Sequence, residues 1–169
     1  MGSFFEGWYF KHQNNEETLA VIPGVSNEKA FIQVITNEDS YNIDFNKKEF
    51  CKSDNVVIGE NKFSPQGIIL NIHQPSLDIS GKVSYYNLSP LRSDIMGIFK
   101  YFPMQCRHGV ISMRHDLDGY ISINGKTFDF LNGIGYIEKD SGRSFPKYYV
   151  WVQSNISKEK CSIMASIAD

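Results

Sequence analysis

The chain has 169 residues, with 17 basic and 19 acidic side chains and a net charge of −2. This length predicts a single domain over residues 1–169 with a real hydrophobic core. The scattered, balanced charge argues against a dedicated surface for nucleic acid or anionic membranes. Aromatic residues make up 14% of the chain, which fits β-strands and also fits an apolar ligand site.

The three cysteines, Cys51, Cys106 and Cys161, are far apart and odd in number. Their spacing predicts neither a disulfide framework nor a zinc site, so a reducing cytoplasm is the expected location. No run of eighteen apolar residues predicts a membrane-spanning helix. The opening MGSFFEGWYFK lacks the basic and apolar regions of a signal peptide.

Short strand-like runs separated by turn residues follow one another at roughly the 8–12-residue spacing of all-β proteins. The Asn124-Gly125 pair predicts a hairpin with a type I′ turn, because both residues tolerate positive φ. Weaker turn signals occur at residues 80–82 and 65–67. The predicted strands, in chain order, are FFEGWYFKH, TLAVIPG, KAFIQVIT, SYNIDFN, NVVIG, NKFS, GIILNIHQ, LDISGKVSYY, GVISMRH, GYISIN, KTFDFLN, GYIEKD and KYYVWVQSN.

Two segments stand apart from this pattern. Ser93 to Phe102 predicts one short helix or an irregular turn, with Pro103 as a stop and Gly97 weakening the helix. The ending KCSIMASIAD is apolar almost to the last residue. We expect a final strand there, either continuing into further chain or presenting an edge that needs a partner.

A chain with this many strands needs closure or stacking to protect its sheet edges, which favours an antiparallel β-barrel. A barrel of about eight or more strands is wide enough to hold a small ligand. The strand KYYVWVQSN would carry Tyr149, Trp151, Gln153 and Asn155 on one face. Rings beside amides fit the wall of a ligand site, and they also fit a surface under a loop or at a dimer contact.

The first strand poses a similar question at Glu6, which shares a face with Trp8, Phe10 and His12. A carboxylate buried among rings loses solvation, which raises its pKa and makes it a useful proton donor. The alternative is that Glu6 pairs with a lysine or an arginine, or faces water.

Further titratable residues lie in the second half of the chain. His108 and His115 are seven residues apart, which places them on opposite faces of an unbroken strand and makes them unsuitable as a metal pair. Glu138 and Asp140 share a strand face, which fits a charged hairpin corner or an acid held beside a pocket. No Walker, GxGxxG or GxSxG motif is present, so nucleotide-dependent and triad-type hydrolase chemistry have no support.

Three ordered blocks of sequence carry a resemblance to a known family. They are FFEGWYFK near the start, DIMGIFKYFPMQCRHGVISMRHDLDGYISING in the middle, and GYIEKDSGRSFPKYYVWVQSN after it. Together these blocks resemble the tocopherol cyclase family over residues 4–11 and 94–169. Members of that family are generally longer, so the resemblance implies the N-terminal part of a two-half protein, with the missing half or a homodimer partner meeting the exposed edge.

The resemblance implies a lipocalin-like β-barrel that acts on a lipophilic prenylated quinol and needs no cofactor. The family's reaction delivers a proton to a trisubstituted alkene and captures the tertiary cation with the phenol oxygen. Such chemistry needs a dry, ring-lined hollow inside the sheet and an acid of raised pKa. It implies catalytic candidates at Glu6, Glu138, Asp140 and His108, and substrate-binding candidates at Trp8, Tyr9, Tyr136, Tyr149, Trp151 and Gln153.

Two further readings stand beside this one. The chain can be a non-catalytic barrel that carries a hydrophobic small molecule, or a half-domain that functions only with its second half. In each reading the expected partner is a hydrophobic small molecule, with peripheral membrane contact for its access. None of the three readings involves nucleic acid or a metal.

Overall fold

The computed structural model describes residues 4–144, 147–156 and 161–168. In this part of the chain the structure is almost entirely antiparallel β-sheet, which confirms the predicted all-β class. The strands are β1 (Phe5–Gln13), β2 (Thr18–Ser26), β3 (Lys29–Ile35), β4 (Ser40–Asn46), β5 (Phe50–Lys52), β6 (Val56–Ile58), β7 (Asn61–Ser64), β8 (Gly67–Gln74), β9 (Leu77–Tyr86), β10 (Cys106–Ile123), β11 (Lys126–Asp129), β12 (Gly133–Gly142), β13 (Tyr149–Ile156) and β14 (Cys161–Ala168).

Most strands form one 12-stranded sheet in the order β4-β3-β2-β1-β12-β10-β9-β8-β7-β6-β5, with β11 paired to β10. The sheet curls so that strands near its β5 end contact the opposite part of the sheet: Lys52 Nζ on β5 lies 2.6 Å from Glu6 Oε1 on the interior strand β1, and the Phe45 ring at the end of β4 packs against Gly59 after β6. The barrel-like shape is therefore produced by curling, while the edge strands β4 and β5 do not pair with each other among the described residues.

Alternation along each strand gives the sheet two different faces. The face that carries Trp8 and Phe10 of β1 is turned inward by the curl, and we call it the inner face; the face that carries Tyr9 and Lys11 is the outer face. Side chains from opposite ends of the sheet fill the inner side as one core, including Ile32 on β3 and Ile58 on β6, both fully buried.

Strands β13 and β14 form a separate two-stranded sheet, called here the cover hairpin because it lies over the outer face. Trp151 packs edge-on against Tyr9 of β1, with ring centroids 5.5 Å apart. Lys11 Nζ donates to Gln153 Oε1 at 3.0 Å, and Asn155 Nδ2 donates to the Gly135 carbonyl at 3.3 Å. The amides on this strand thus attach the hairpin to the sheet.

Local predictions fared unevenly. The Asn124-Gly125 turn joins β10 to β11 with both φ angles positive, as predicted. The turn predicted at residues 80–82 is wrong, because Gly81 lies within β9, where a Cβ would meet the Tyr120 carbonyl oxygen at 2.3 Å. Two strands predicted between residues 109 and 124 are one 18-residue strand, β10, with register shifts near Val110 and Ser112.

The predicted helix is a single 3₁₀ segment at Gly97–Tyr101. The predicted last strand is present as β14, which pairs with β13 along its length. Among the described residues there is no helix with the length and hydropathy needed to cross a membrane.

Candidate active site

A cavity of about 830 Å³ lies on the outer face, between the sheet, the cover hairpin and the segment before β10. A volume of this size lies within the range of small-molecule sites. Its walls combine rings, aliphatic side chains and a few titratable groups. The residues that line it are Phe5, Gly7, Trp8, Tyr9, Ile22, Phe31, Gln33, Ile35, Met96, Pro103, Met104, Gln105, Cys106, His108, Glu138, Asp140, Tyr149, Trp151 and Ser166.

The inside of the curled sheet differs from the expected ligand hollow. Core side chains fill it, and a cavity of about 150 Å³ lined by Phe10, Phe63 and Ile137 remains near one end. A cavity of that size holds a molecule about as large as benzene, which is too small for a prenylated quinol. The expectation that a ligand lies within the curl is wrong, because large aliphatic and aromatic side chains from both ends of the sheet meet there.

The polar end of the outer cavity is a cluster of His108 on β10 with Glu138 and Asp140 on β12. Pairing of the two strands places His108 opposite Asp140, and two-residue periodicity puts Glu138 on the same face. His108 Nδ1 and Asp140 Oδ1 share a hydrogen bond of 2.5 Å. His108 Nε2 lies 3.3 Å from Glu138 Oε2, but outside hydrogen-bond geometry.

Glu138 is the acid of this cluster that the fold keeps driest. Glu138 is 6% exposed, and this burial raises the pKa of its carboxyl. The hydrogen bond from Tyr136 and the charge on His108 partly offset the increase. Tyr136 Oη donates to Glu138 Oε2 at 2.6 Å. A buried carboxyl with a raised pKa that accepts a hydrogen bond from a phenol is suited to donate a proton.

The pKa of His108 shifts in the opposite direction to that of a buried histidine without charged neighbours. Burial lowers the pKa of His108, but the hydrogen bond to Asp140 and the negative charges of Glu138 and Asp140 outweigh it, so the net shift is upward. The two carboxyl groups beside the ring therefore favour its cationic form. A positive charge on this ring stabilises the carboxylate that forms when Glu138 releases its proton.

Two buried polar nitrogens at the cavity have no hydrogen-bond partner among the described residues. They are His108 Nε2 and Trp151 Nε1, and both side chains lie beside the Glu138 carboxyl, whose pKa they lower. Buried polar groups in native proteins are nearly always paired. Their position on the cavity wall fits a ligand that brings a polar group, such as a phenol oxygen, to this end.

Aromatic rings surround the carboxyl cluster. Tyr9 contacts Trp151, and the Tyr136 and Trp151 centroids are 6.2 Å apart. Burial and the nearby Glu138 charge raise the pKa of Tyr9 to about 12, so it stays neutral. Neutral rings around a desolvated acid can stabilise a developing cation by about 2 kcal/mol each.

The surroundings of Glu6 do not raise its pKa, as a proton donor near neutral pH would require. It shares a face with Trp8, as predicted, and this is the inner face, but its Oε1 is 2.6 Å from both Lys52 Nζ and Lys139 Nζ. Burial raises its pKa, but hydrogen bonds and charges from the two lysines outweigh this and lower it overall. The expected rise in the pKa of Glu6 is wrong, and the alternative of lysine pairing is confirmed.

The other predicted residues divide between the cavity wall and its support. Tyr9, Tyr149, Trp151 and Trp8 line the cavity. Tyr136 is fully buried behind it, where its ring contacts Tyr9 and Trp151 and its hydroxyl donates to Glu138. The Gln153 side chain accepts a hydrogen bond from Lys11 and donates one to Asn155, and it thereby helps to attach the cover hairpin.

Sequence reasoning missed several wall residues on β2, β3 and the segment before β10. Gln33, Phe31 and Ile22 reach the cavity because β2 and β3 follow β1 in the sheet, a neighbour relation that no local pattern reveals. Met96, Pro103 and Met104 belong to the segment that was expected to be only a helix or turn. The signal that could have found Phe31 and Gln33 is the two-residue alternation of β3, which puts both on one face.

The cluster also has the geometry to bind a divalent metal. One ligand atom from each of His108, Glu138 and Asp140 lies within 4.8 Å of the others. These atoms already pair with one another and with Tyr136. The arrangement therefore fits a hydrogen-bonded proton donor better than a vacant ligand set.

Comparison with known families finds a match over the part of the chain that contains the His108, Glu138 and Asp140 cluster. The model of the family described as tocopherol cyclase-like matches residues 76–168, more than half of the chain. The chain belongs to the tocopherol cyclase-like family. The match spans β9 to β14, so His108, Glu138, Asp140 and Trp151 lie inside it, whereas Glu6, Trp8 and Tyr9 lie outside it. No curated protein matches the chain.

Proposed function

We propose that this protein binds a prenylated quinol in the outer cavity and closes a chromanol-type ring by proton-initiated intramolecular addition. The observation that carries the proposal is Glu138, a buried carboxyl with raised pKa on an aromatic cavity wall. Membership of the tocopherol cyclase-like family favours this class of isomerase chemistry.

The reaction is an isomerisation, so every proton must balance. The Glu138 carboxyl donates its proton to the less substituted carbon of the alkene, whose electron pair forms the new C–H bond. The phenol oxygen then bonds to the tertiary carbon cation and loses its proton, which returns to the Glu138 carboxylate. No redox partner is consumed, and Glu138 is regenerated.

Neighbouring side chains have distinct parts in this scheme. Between the two proton transfers, Tyr136 and the His108 cation stabilise the Glu138 carboxylate, which explains why a carboxyl so deeply buried can release a proton. Asp140 is a positioning residue that fixes the His108 ring through Nδ1. Tyr9 and Trp151 present their rings to the cationic carbon, and the cover hairpin keeps water from capturing it.

Turnover in D₂O tests the proposal. A prenylated hydroquinone incubated with the protein should give a chromanol that carries one non-exchangeable deuterium, detected by mass spectrometry. Glu138→Gln should reduce the rate by about 10²- to 10⁴-fold, the usual contribution of a general acid. The rate should also fall as pH rises through the raised pKa of Glu138, because only the protonated carboxyl can donate.

Glu6→Gln is the matched control, since it removes a carboxylate that is paired with two lysines away from the outer cavity. It should retain nearly the wild-type rate. Wild-type turnover by Glu138→Gln would contradict the assignment of the acid. Binding of the quinol by the wild type without any turnover would instead support the non-catalytic carrier.

A further inference from the structure

One row of residues crosses the outer face from the carboxyl cluster to the far wall of the cavity. Strand register makes each a direct neighbour of the next, on β10, β12, β1, β2 and β3. In order, the row is His108, Asp140, Gly7, Gly24 and Phe31. At about 4.8 Å between strands, Asp140 and Phe31 are roughly 14 Å apart across the sheet.

The middle of this row has no side chains. On β1, the rings of Phe5 and Tyr9 rise on either side of Gly7 and line the cavity with it. A Cβ built on Gly7 would meet only the Pro23 carbonyl oxygen, at 3.8 Å, so the space above it is open. The row therefore forms a groove in the cavity floor.

Phe31 closes the far end of the groove. Its ring lies over Gly24, where a Cβ would come within 2.4 Å of the Phe31 Cζ atom. The ring keeps this position because Gly24 has no side chain. Phe31 is itself part of the cavity wall, so the Gly24–Phe31 pair sets how far the cavity extends.

Backbone geometry does not require either glycine. The glycines with positive φ are at other positions, and both Gly7 and Gly24 lie in regular strand pairs. Glycine inside a strand is destabilising relative to alanine, and it often marks close approach by a ligand or another group. At Gly24 that group is the Phe31 ring; at Gly7 it is the open cavity.

We propose that the isoprenoid tail of the substrate crosses the groove over Gly7 and ends against the Phe31 ring that covers Gly24, so that Phe31 determines the tail length that fits. This inference rests on the proposed function, which places the quinol head and its first double bond at Glu138 and His108. The remaining tail then follows the direction free of side chains, toward Phe31. The protein is thereby specific for hydroquinones with a tail of limited length.

Binding of a graded series of probes tests this inference. The probes are hydroquinones with the same head and tails of one to four isoprene units, together with the tail-less hydroquinone. Trp151 lines the cavity, so quenching of tryptophan fluorescence measures the dissociation constant. Wild-type affinity should rise by about tenfold or more per added unit until the tail reaches Phe31, and then level off.

The variants should move this limit in opposite directions. Phe31→Ala should let affinity continue to rise with a longer tail, while Gly24→Ala should displace the ring into the cavity and shorten the preferred tail. Gly7→Ala should weaken tailed probes by about fourfold, the equivalent of one buried methylene, and leave the tail-less probe unaffected. Gly109→Ala is the matched control, because its Cβ would also meet open space, 3.9 Å from the Lys139 carbonyl oxygen, away from this cavity.

The outcomes separate the two proposals. If the wild type binds tailed probes but Phe31→Ala keeps the same preferred length, the groove inference is overturned and the proposed function stands. If the wild type binds none of the tailed probes, both are overturned. Thermal melting checks that each variant is folded, and Phe31→Ala decides the result even if Gly24→Ala does not fold.

Discussion

The two faces of the sheet each bury a histidine cluster, with opposite electrostatic results. On the inner face, His12 is fully buried, and its Nε2 shares a 2.6 Å hydrogen bond with Tyr85 Oη. Burial lowers the pKa of His12 to about 4 and that of His115 to about 3. On the outer face, the pKa of His108 is raised, because carboxyl groups surround a ring that burial alone would neutralise.

This difference supports the proposal that the outer face is the functional one. The inner cluster contains neutral groups among core side chains, so its histidines contribute to packing and hydrogen bonding. The outer cluster holds its charges beside a cavity, where they can exchange protons with a ligand. Burial of a histidine is therefore uninformative until the partners on adjacent strands are known.

Neighbouring positions on β3 should separate the two faces most strongly. Ile32 is fully buried in the core, so Ile32→Ala should reduce the free energy of unfolding by about 2–5 kcal/mol. Phe31→Ala, one residue away on the outer face, should reduce it by roughly 1 kcal/mol while changing probe binding. Urea denaturation measures both. Equal losses of stability would mean that the outer face is part of the core.

Acid should destabilise the protein through the inner face. The unfolded chain binds protons at His12 near its ordinary pKa of 6.5, whereas the folded pKa is about 4, so stability is lost as pH falls from 6.5 toward 4. At pH 4.5 the loss from His12 should be roughly 2 kcal/mol. Denaturation from pH 7.5 to pH 4.5 should show a flatter pH dependence in His12→Leu than in the wild type.

The outer face should respond to pH in the reverse direction. Glu138 has a raised pKa in the folded state, so it holds its proton more tightly there than in the unfolded chain. Its contribution to stability is present at low pH and is lost as pH rises through the folded value. Glu138→Gln should remove this part of the dependence of stability on pH. An unchanged dependence would contradict a raised pKa for the buried Glu138 carboxyl.

The cover hairpin should prove less strongly held than the main sheet. Gln153→Leu removes the acceptor for Lys11 and the donor to Asn155, and it should cost about 1 kcal/mol. Amide exchange should accelerate in β13 and β14 but not in β1 or β12. Ser154→Ala, on the exposed side of the same strand, serves as the control and should change neither.

The sequence contained enough local information to predict the strands and the partition of their faces. Alternation placed Trp151 and Gln153 on one face of β13 and Glu6 beside Trp8, and Asn124-Gly125 predicted its turn. The resemblance pointed to the region of His108, Glu138 and Asp140. These successes depend on interactions within a few residues or on matching motifs.

The failures came from contacts between distant segments. Glu6 gained Lys52 and Lys139 as partners only because the sheet curls and β12 pairs with β1. Strand patterns also could not show that β13 leaves the main sheet, and so the cavity was expected inside the curl. Which face holds the ligand depends on where that hairpin packs.

Photoaffinity labelling tests the central claim of a ligand site on the outer face most directly. A hydroquinone with a diazirine in its isoprenoid tail can be bound, irradiated and mapped by peptide mass spectrometry. The outer cavity predicts labels at Ile22, Phe31 and Trp151. Labels confined to Phe63, Ile79 and Ile121, whose side chains fill the inner core, would contradict it.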